Sequence, residues 1–365
     1  MKIGEVIKSL ENIAPLSLQE SYDNAGLLIG NSEDECAGII VSLDVTEQVV
    51  EEAVEKNCNL IVAHHPIIFK GLKKLNGKNY VERTVISAIK HNIAVYAIHT
   101  NLDNIIEGVN RKIAQKLKLQ NCKALLPKEG TLKKLVTFCP LENAEELRNA
   151  LFNAGAGAIG NYSECSFNVD GKGTFKAEEG SDPYIGEIGE RHAESETRTE
   201  VVFPVYLQNQ ILSALKKAHP YEEVAYYVSS IDNLRNDTGS GLIGELQEEI
   251  SEVDLLGLLK REFGLSVIKH TSFLHKKIKK IALCGGAGIF LLPNAKAAGA
   301  QVYITGDIKY HEFFDADGKI LLADIGHYES EQFTVNLLAE FLQQKFPNFA
   351  VQKTEINTNP VNYYI

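Results

Sequence analysis

Two stretches of this chain repeat one pattern, strand then helix then strand, and that repeat constrains the fold more than any other feature. The first is AGIIVSLD (37–44), a buried-strand pattern, followed by the amphipathic VTEQVVEEAVEKN and a second apolar run, NLIVAHH. The second is KIALCGG (280–286), then GIFLLPNAKAAGA, then QVYITGD (301–307). In both copies the second strand starts 21 residues after the first, 38 to 59 and 280 to 301. A third strand follows in each: IAVYAIHTNLD (93–103) and KILLADIGHYE (319–329). Units of this length set parallel strands side by side through right-handed crossovers. The expectation is an α/β fold with a pseudo-duplicated strand–helix core.

The two copies are far apart, and 365 residues are many for one hydrophobic core. From about Thr131 to Ile231 the pattern changes. It reads strand KKLVTFCP, helix NAEELRNALFNAG, strand GNYSECSFNVDG, strand TRTEVVFPVY, helix LQNQILSALKKAH and strand EEVAYYVSSI. That β-α-β-β-α-β order predicts an inserted ferredoxin-like domain. The expected organisation is one core half over 1–130, the insert over 131–235 and the second core half over 236–365. Within the insert, KGTFKAEEGSDPYIGEIGERHAESETR is polar and rich in turn residues, and reads as a mobile loop.

Charge and cysteine usage exclude several classes. A net charge of −11 offers no general attraction to phosphate backbones, so nucleic acid is not an expected partner. The N-terminal MKIGEVIKSLENIAPLSLQ alternates charged and apolar residues at helical spacing and lacks the pattern of a signal peptide. No run approaches the length of a membrane span. The six cysteines (36, 58, 122, 139, 165 and 284) are scattered without a C-x-x-C pair, as in ordinary cytosolic thiols. A cytoplasmic protein with no membrane partner is expected.

The residues that could carry chemistry fall at the C-terminal ends of strands, where open α/β sheets build ligand sites. LIVAHHPIIF places His64 and His65 at a strand end, and Pro66 biases His65 toward extended geometry. Asp103 follows the third strand of the first half, where it could bind a metal or cap the helix NIIEGVNRKIAQKLK. His327 and Glu331 are four apart on one helix face beyond another strand end. Glu331 could equally complement the helix dipole. Three imidazoles and two carboxylates suit divalent zinc, manganese, iron or cobalt. Five ligands exceed what one open four-coordinate site needs, so two ions bridged by a carboxylate fit the count better. His99, Asp307 and His311 are candidate proton-transfer residues, and Asp44 and Asp324 lie nearby, each equally able to serve a turn or cap. CGGAGIF lets backbone amides approach an anion, but it is neither a Walker A loop nor G-x-G-x-x-G.

SYDNAGLLIG (21–30), VSLDVTEQVVEEA, IVAHHPIIFKGLKKL, IHTNLDN, CGGAGIF, YITGDIKYHEFFDA and DIGHYESE run in order across both core halves. Together they resemble the NGG-interacting-factor-three-like family, whose bacterial members are often labelled GTP cyclohydrolase 1 type 2 homologue. The resemblance implies a dinuclear metal site: His64, Asp103 and Glu331 around one ion, His65, His327 and Glu331 around the other, with Glu331 bridging. It also implies a ring-shaped homohexamer, with an insert similar to the PII signalling and CutA copper-tolerance proteins.

The expected activity is metal-dependent hydrolysis of a small nucleotide-like or phosphate-containing substrate. The competing expectations are a non-catalytic metal-handling or metal-responsive protein, and a ring-shaped scaffold. GTP cyclohydrolase 1 proper uses a zinc site containing cysteine, and none of the six cysteines here belongs to the five-residue set.

Overall fold

The computed structural model describes residues 1–364 and divides them into two compact units. One contains 1–127 and 236 onward; the other contains 128–235.

In the first unit, Ile39–Ser42, Leu60–Ala63 and Ala94–Ala97 are parallel neighbours, and every residue in them is buried. Strands covered on both faces must be apolar throughout rather than alternating, and the sequence supplies this as IIVS, LIVA and AVYA. A second sheet repeats the arrangement with Lys277–Leu283, Val302–Thr305 and Leu321–Asp324, again parallel in chain order. The helix Glu47–Glu55 follows the first strand. Thr46 caps it by accepting a hydrogen bond from the Val49 amide, and Val49, Val50 and Ala53 face the core.

The two halves also exchange edge strands, which the repeat alone does not reveal. Val351–Lys353, from the C-terminal end, pairs parallel with Ile39–Ser42. Gln120–Pro127, from the first half, pairs antiparallel with Gly239–Ser251 in the other sheet. Each parallel core is thus closed by chain from the opposite half.

Two helix expectations require correction. NIIEGVNRKIAQKLK is not one helix capped by Asp103. Asp103 is the last residue of a short helix, Thr100–Asp103, and the next helix runs Val109–Lys116. Glu331 likewise ends a five-residue helix, His327–Glu331, and the long helix is Thr334–Lys345. Neither carboxylate sits at a helix start, so capping and dipole roles do not account for them.

In the second unit the strand order is Ser166–Lys176, Arg191–Pro204, Leu132–Pro140, Tyr226–Ile231, with every neighbouring pair antiparallel. Helices Ala144–Asn153 and Gln208–Ala218 pack on one face through Leu147, Leu151, Ile211 and Leu215. The stretch read as a mobile loop, 172–198, is a loop only over 177–190; its two ends, 172–176 and 191–198, belong to strands paired in continuous register from Ser166↔Val201 to Lys176↔Arg191. Its polar composition reads as loop, but ladder hydrogen bonds are made by the backbone and do not require apolar side chains. Among the described residues, no helix is long and apolar enough to cross a membrane.

Candidate metal centre

In the first unit the ends of the parallel strands surround a cavity of about 930 Å³. His64 and His65 follow directly on Leu60–Ala63, and Asp103 arrives by the short helix after Ala94–Ala97. His327 and Glu331 share the helix that follows Leu321–Asp324. All five side chains come together.

They divide into two groups of three that share Glu331: His64 with Asp103, and His65 with His327. Glu331 is 3% exposed. Its Oε1 lies 3.8 Å from His64 Nε2, and its Oε2 lies 2.9 Å from His65 Nε2 and 3.1 Å from His327 Nε2. One carboxylate therefore presents one oxygen to each group.

The tautomers are fixed from behind. His64 Nδ1 donates to the Ile98 carbonyl at 2.8 Å, which leaves Nε2 as a lone-pair donor. His65 Nδ1 faces Asp44 at 2.7 Å and His327 Nδ1 faces Asp307 at 2.7 Å, so in the neutral rings their Nε2 atoms would turn lone pairs into the site, while protonated rings donate from Nε2 to Glu331. The Nε2 atoms of His65 and His327 stand 3.3 Å apart. In the other group, His64 Nε2 and Asp103 Oδ1 are buried 3.7 Å from each other with no hydrogen-bond partner. Buried polar atoms are rarely left unpaired. Donor atoms gathered in this way could hold a metal ion.

The proton affinities carry the same message. Burial, and then the charge of Glu331, push Asp103 up to about 7. Burial also opposes ionisation of Glu331, but hydrogen bonds from His327 and His65 and the nearby His64 ring outweigh it and hold Glu331 well below the carboxylate range. Burial opposes charge on His65 too, yet Asp44 and Glu331 raise it to about 10.

Of the other candidates, His99 lies at the site. Its ring is 5.3 Å from that of His64 and 5.5 Å from that of His65, and its Nδ1 bonds Asp23 at 2.7 Å. Asp307 acts behind His327. Asp324 accepts from the amides of Ile308 and Gly326 and pairs with Lys269, so it shapes the loops that carry the ligands. His311 packs against Tyr310 and Phe314 and does not line the cavity.

The reading of CGGAGIF changes. The amides of Gly285, Gly286 and Gly288 already donate to Asn110, Ser330 and Thr305, so they are not free to hold an anion. A Cβ at Gly286 would lie 2.4 Å from Glu331 Oε1, and the residue has φ +62°. The glycine makes room for the shared carboxylate. Gly286→Ala is expected to cost about 1–3 kcal/mol of stability and to lower metal retention. Thermal unfolding and elemental analysis of one preparation check both, and wild-type values in both contradict this role.

Sequence reasoning missed two residues. Asp23 accepts from His99 and from the Thr100 amide and hydroxyl; these bonds outweigh its burial and lower it to about 2. Thr358 donates to Asp44 at 2.7 Å. Asp23 lies 76 positions from His99 and Thr358 lies 314 from Asp44, so no local pattern could link them. Asp44→Ala is expected to weaken metal binding about 10–100-fold by freeing the His65 ring. Competition with a chelator of known affinity measures this, and unchanged affinity excludes the role.

A family profile described as Duf34/NIF3 (NGG1p interacting factor 3) matches residues 1–360. A Bacillus subtilis (strain 168) protein named GTP cyclohydrolase 1 type 2 homolog is 37% identical over 366 residues, 98% of each chain. A Halalkalibacterium halodurans protein of the same name is 37% identical over 372 residues and the full length of both. Among solved structures, a Bacillus cereus protein related to NIF3 superposes with a TM-score of 0.89 at 37% identity, covering 100% of this chain and 99% of that one. The Staphylococcus aureus protein SA1388 gives 0.78 at 30% identity, with the same coverage.

Proposed function

Because this chain belongs to the Duf34/NIF3 family, and four of its histidines and carboxylates form two groups with the buried Glu331, we propose that it holds two divalent metal ions and is a metal-dependent hydrolase. His64, Asp103 and Glu331 would hold one ion, and His65, His327 and Glu331 the other; zinc, manganese, iron and cobalt all suit the set. Bound metal would supply Lewis acidity and a water of lowered pKa. The observation that carries this reading is the unpaired, buried facing of His64 Nε2 and Asp103 Oδ1 beside a carboxylate already turned to two other imidazoles.

The chain's own groups supply the rest. Asp23, held ionised, orients His99 through Nδ1 and leaves its other ring nitrogen to move a proton at the cavity. Tyr22, Phe69 and Phe290 line the same cavity and offer flat apolar surface to a nucleobase-like group. The proposed substrate is a small nucleotide-like or phosphate-containing molecule. The relatives' name points to GTP, but this ligand set is equally suited to other hydrolyses.

The test is turnover of a nucleotide and phosphoester panel by metal-loaded protein, with His99→Gln alongside. Turnover that requires metal and falls about 10²–10⁴-fold in His99→Gln, at unchanged metal content, supports the reading. Tight metal binding with no turnover on any substrate favours a metal-handling protein instead.

We further propose that the repeated parallel strands are a pseudo-duplicated core, and that 128–235 is an inserted ferredoxin-like domain, supported by its strand order and antiparallel pairing. A cytoplasmic homohexamer is the proposed assembly; light scattering of the purified protein distinguishes six chains from fewer.

A further inference from the structure

The second unit has a cavity of its own, of about 650 Å³, on the sheet face turned away from its helices. Its floor follows from strand periodicity. In VDGKGTF, Val169, Gly171, Gly173 and Phe175 share one face, so two glycines remove side chains between two apolar residues. Glu196, opposite Gly171 on the neighbouring strand, occupies the space they leave. Its Oε2 lies where a Cβ at Gly173 would stand, 2.0 Å away.

Glu196 is 8% exposed, and its only hydrogen bond is accepted from the Tyr221 hydroxyl at 3.0 Å. Among the described residues, no lysine, arginine or histidine nitrogen lies within 4 Å of it. Buried His219 cannot serve as the counter-charge. Its Nε2 donates to the Phe138 carbonyl at 2.7 Å and its Nδ1 accepts from the Tyr221 amide at 3.1 Å, so the ring is neutral. A desolvated carboxylate without a cation is costly. Around it stand aromatic walls: Phe175 and Tyr184 flank Tyr221 at 5.9 and 6.2 Å between ring centroids, in tilted pairs. The loop bearing Tyr184 is tied down by the Asp182 amide, which donates to Glu222 at 2.9 Å.

We propose that this cavity binds a small organic cation carrying N–H donors, an alkylammonium or alkylguanidinium. Glu196 takes the N–H groups, and Phe175, Tyr184 and Tyr221 present their rings to the charge and the alkyl chain. Asp170, Glu178, Glu222 and Glu223 also line the cavity, as do Lys172, Lys176 and Arg198, but all of these are exposed, and Arg198 pairs with Glu200. One buried carboxylate facing aromatic rings suits such a cation better than a metal ion, which needs several oxygen, nitrogen or sulfur ligands gathered at one point.

Calorimetric titration of the full chain with n-butylguanidinium, neutral n-butylurea and tetramethylammonium tests this. The guanidinium is expected to bind with a dissociation constant of about 1 mM or below, in range for a fragment of its size. The urea should bind roughly tenfold or more weakly. Glu196→Gln, which keeps an acceptor for Tyr221, should erase that preference. Gly171→Val adds bulk on an edge strand at a position where a Cβ meets no atom within 4 Å, and should block binding while leaving the fold and metal content unchanged. Guanidinium binding unaffected by either variant, equal binding of the urea, or no binding at about 10 mM overturns the proposal. Tetramethylammonium binding that survives Glu196→Gln also overturns it, since the rings alone would then suffice.

Discussion

Glu331→Ala is expected to strip both metal ions from the chain. The two groups that share Glu331 would each keep two protein ligands, His64 with Asp103 and His65 with His327, too few to hold a divalent ion through gel filtration; a third group, His64, His65 and His99, lacks any carboxylate to offset an ion's charge. Loss of hydrolytic activity should accompany loss of metal. Stability should fall as well, even in metal-free protein. Glu331 is the buried carboxylate that two half-buried imidazoles face at 2.9 and 3.1 Å, and removing it leaves their Nε2 atoms 3.3 Å apart with no anion between them. Breaking such a buried arrangement costs about 3–5 kcal/mol. Elemental analysis with thermal unfolding measures both effects. His311→Ala, away from the cavity, serves as the control with metal content and melting temperature intact. Retention of two ions by Glu331→Ala would sink the shared-carboxylate arrangement.

The second large effect is the difference in stability between loaded and chelated wild-type protein. In metal-free protein, His64 Nε2 and Asp103 Oδ1 are buried without partners, and each such atom carries a desolvation cost that ligation would relieve. Metal binding adds a mass-action term of about 2.7 kcal/mol when free metal is a hundredfold above the dissociation constant. At roughly 2–4 °C per kcal/mol, the figure for domains of 150–250 residues, chelation should lower the melting temperature by about 5–10 °C. Readdition of zinc, manganese, iron or cobalt should restore it, and the size of the recovery ranks them. Asp103→Asn should narrow the gap, because an amide pairs less well with a cation and needs none nearby. A melting temperature indifferent to chelator and metal means that the buried atoms are satisfied in some other way.

Much of this was legible in the sequence because it depends on local pattern. Apolar runs without alternation identify the parallel strands, and the 21-residue spacing places Asp307 at the position equivalent to His65. Lines of inheritance are readable too: the motifs that resemble the family span both core halves, and the family profile covers residues 1–360. What the sequence hid is long-range. Nothing in SYDNAG announces that Asp23 will meet His99, and nothing near the C-terminus announces that Thr358 will support Asp44. The exchange of Val351–Lys353 and Gln120–Pro127 between the two sheets is hidden for the same reason, since short strands carry no label of their partner. The glycines of CGGAGIF were visible but misassigned. Their requirement is space for a carboxylate 45 residues away, not an exposed amide. The strands GNYSECSFNVDG and TRTEVVFPVY were legible, but their continuation through Lys172–Lys176 and Arg191–Glu196 was not, because these segments are largely exposed and polar, and composition reports on burial.

Crystals of the metal-loaded protein, measured on both sides of the absorption edge of the bound element, address the dinuclear centre most directly. Two anomalous peaks are expected. One should lie within bonding distance of His64, Asp103 and Glu331, and the other within bonding distance of His65, His327 and Glu331. A single peak, or none at these residues at full metal loading, would contradict it.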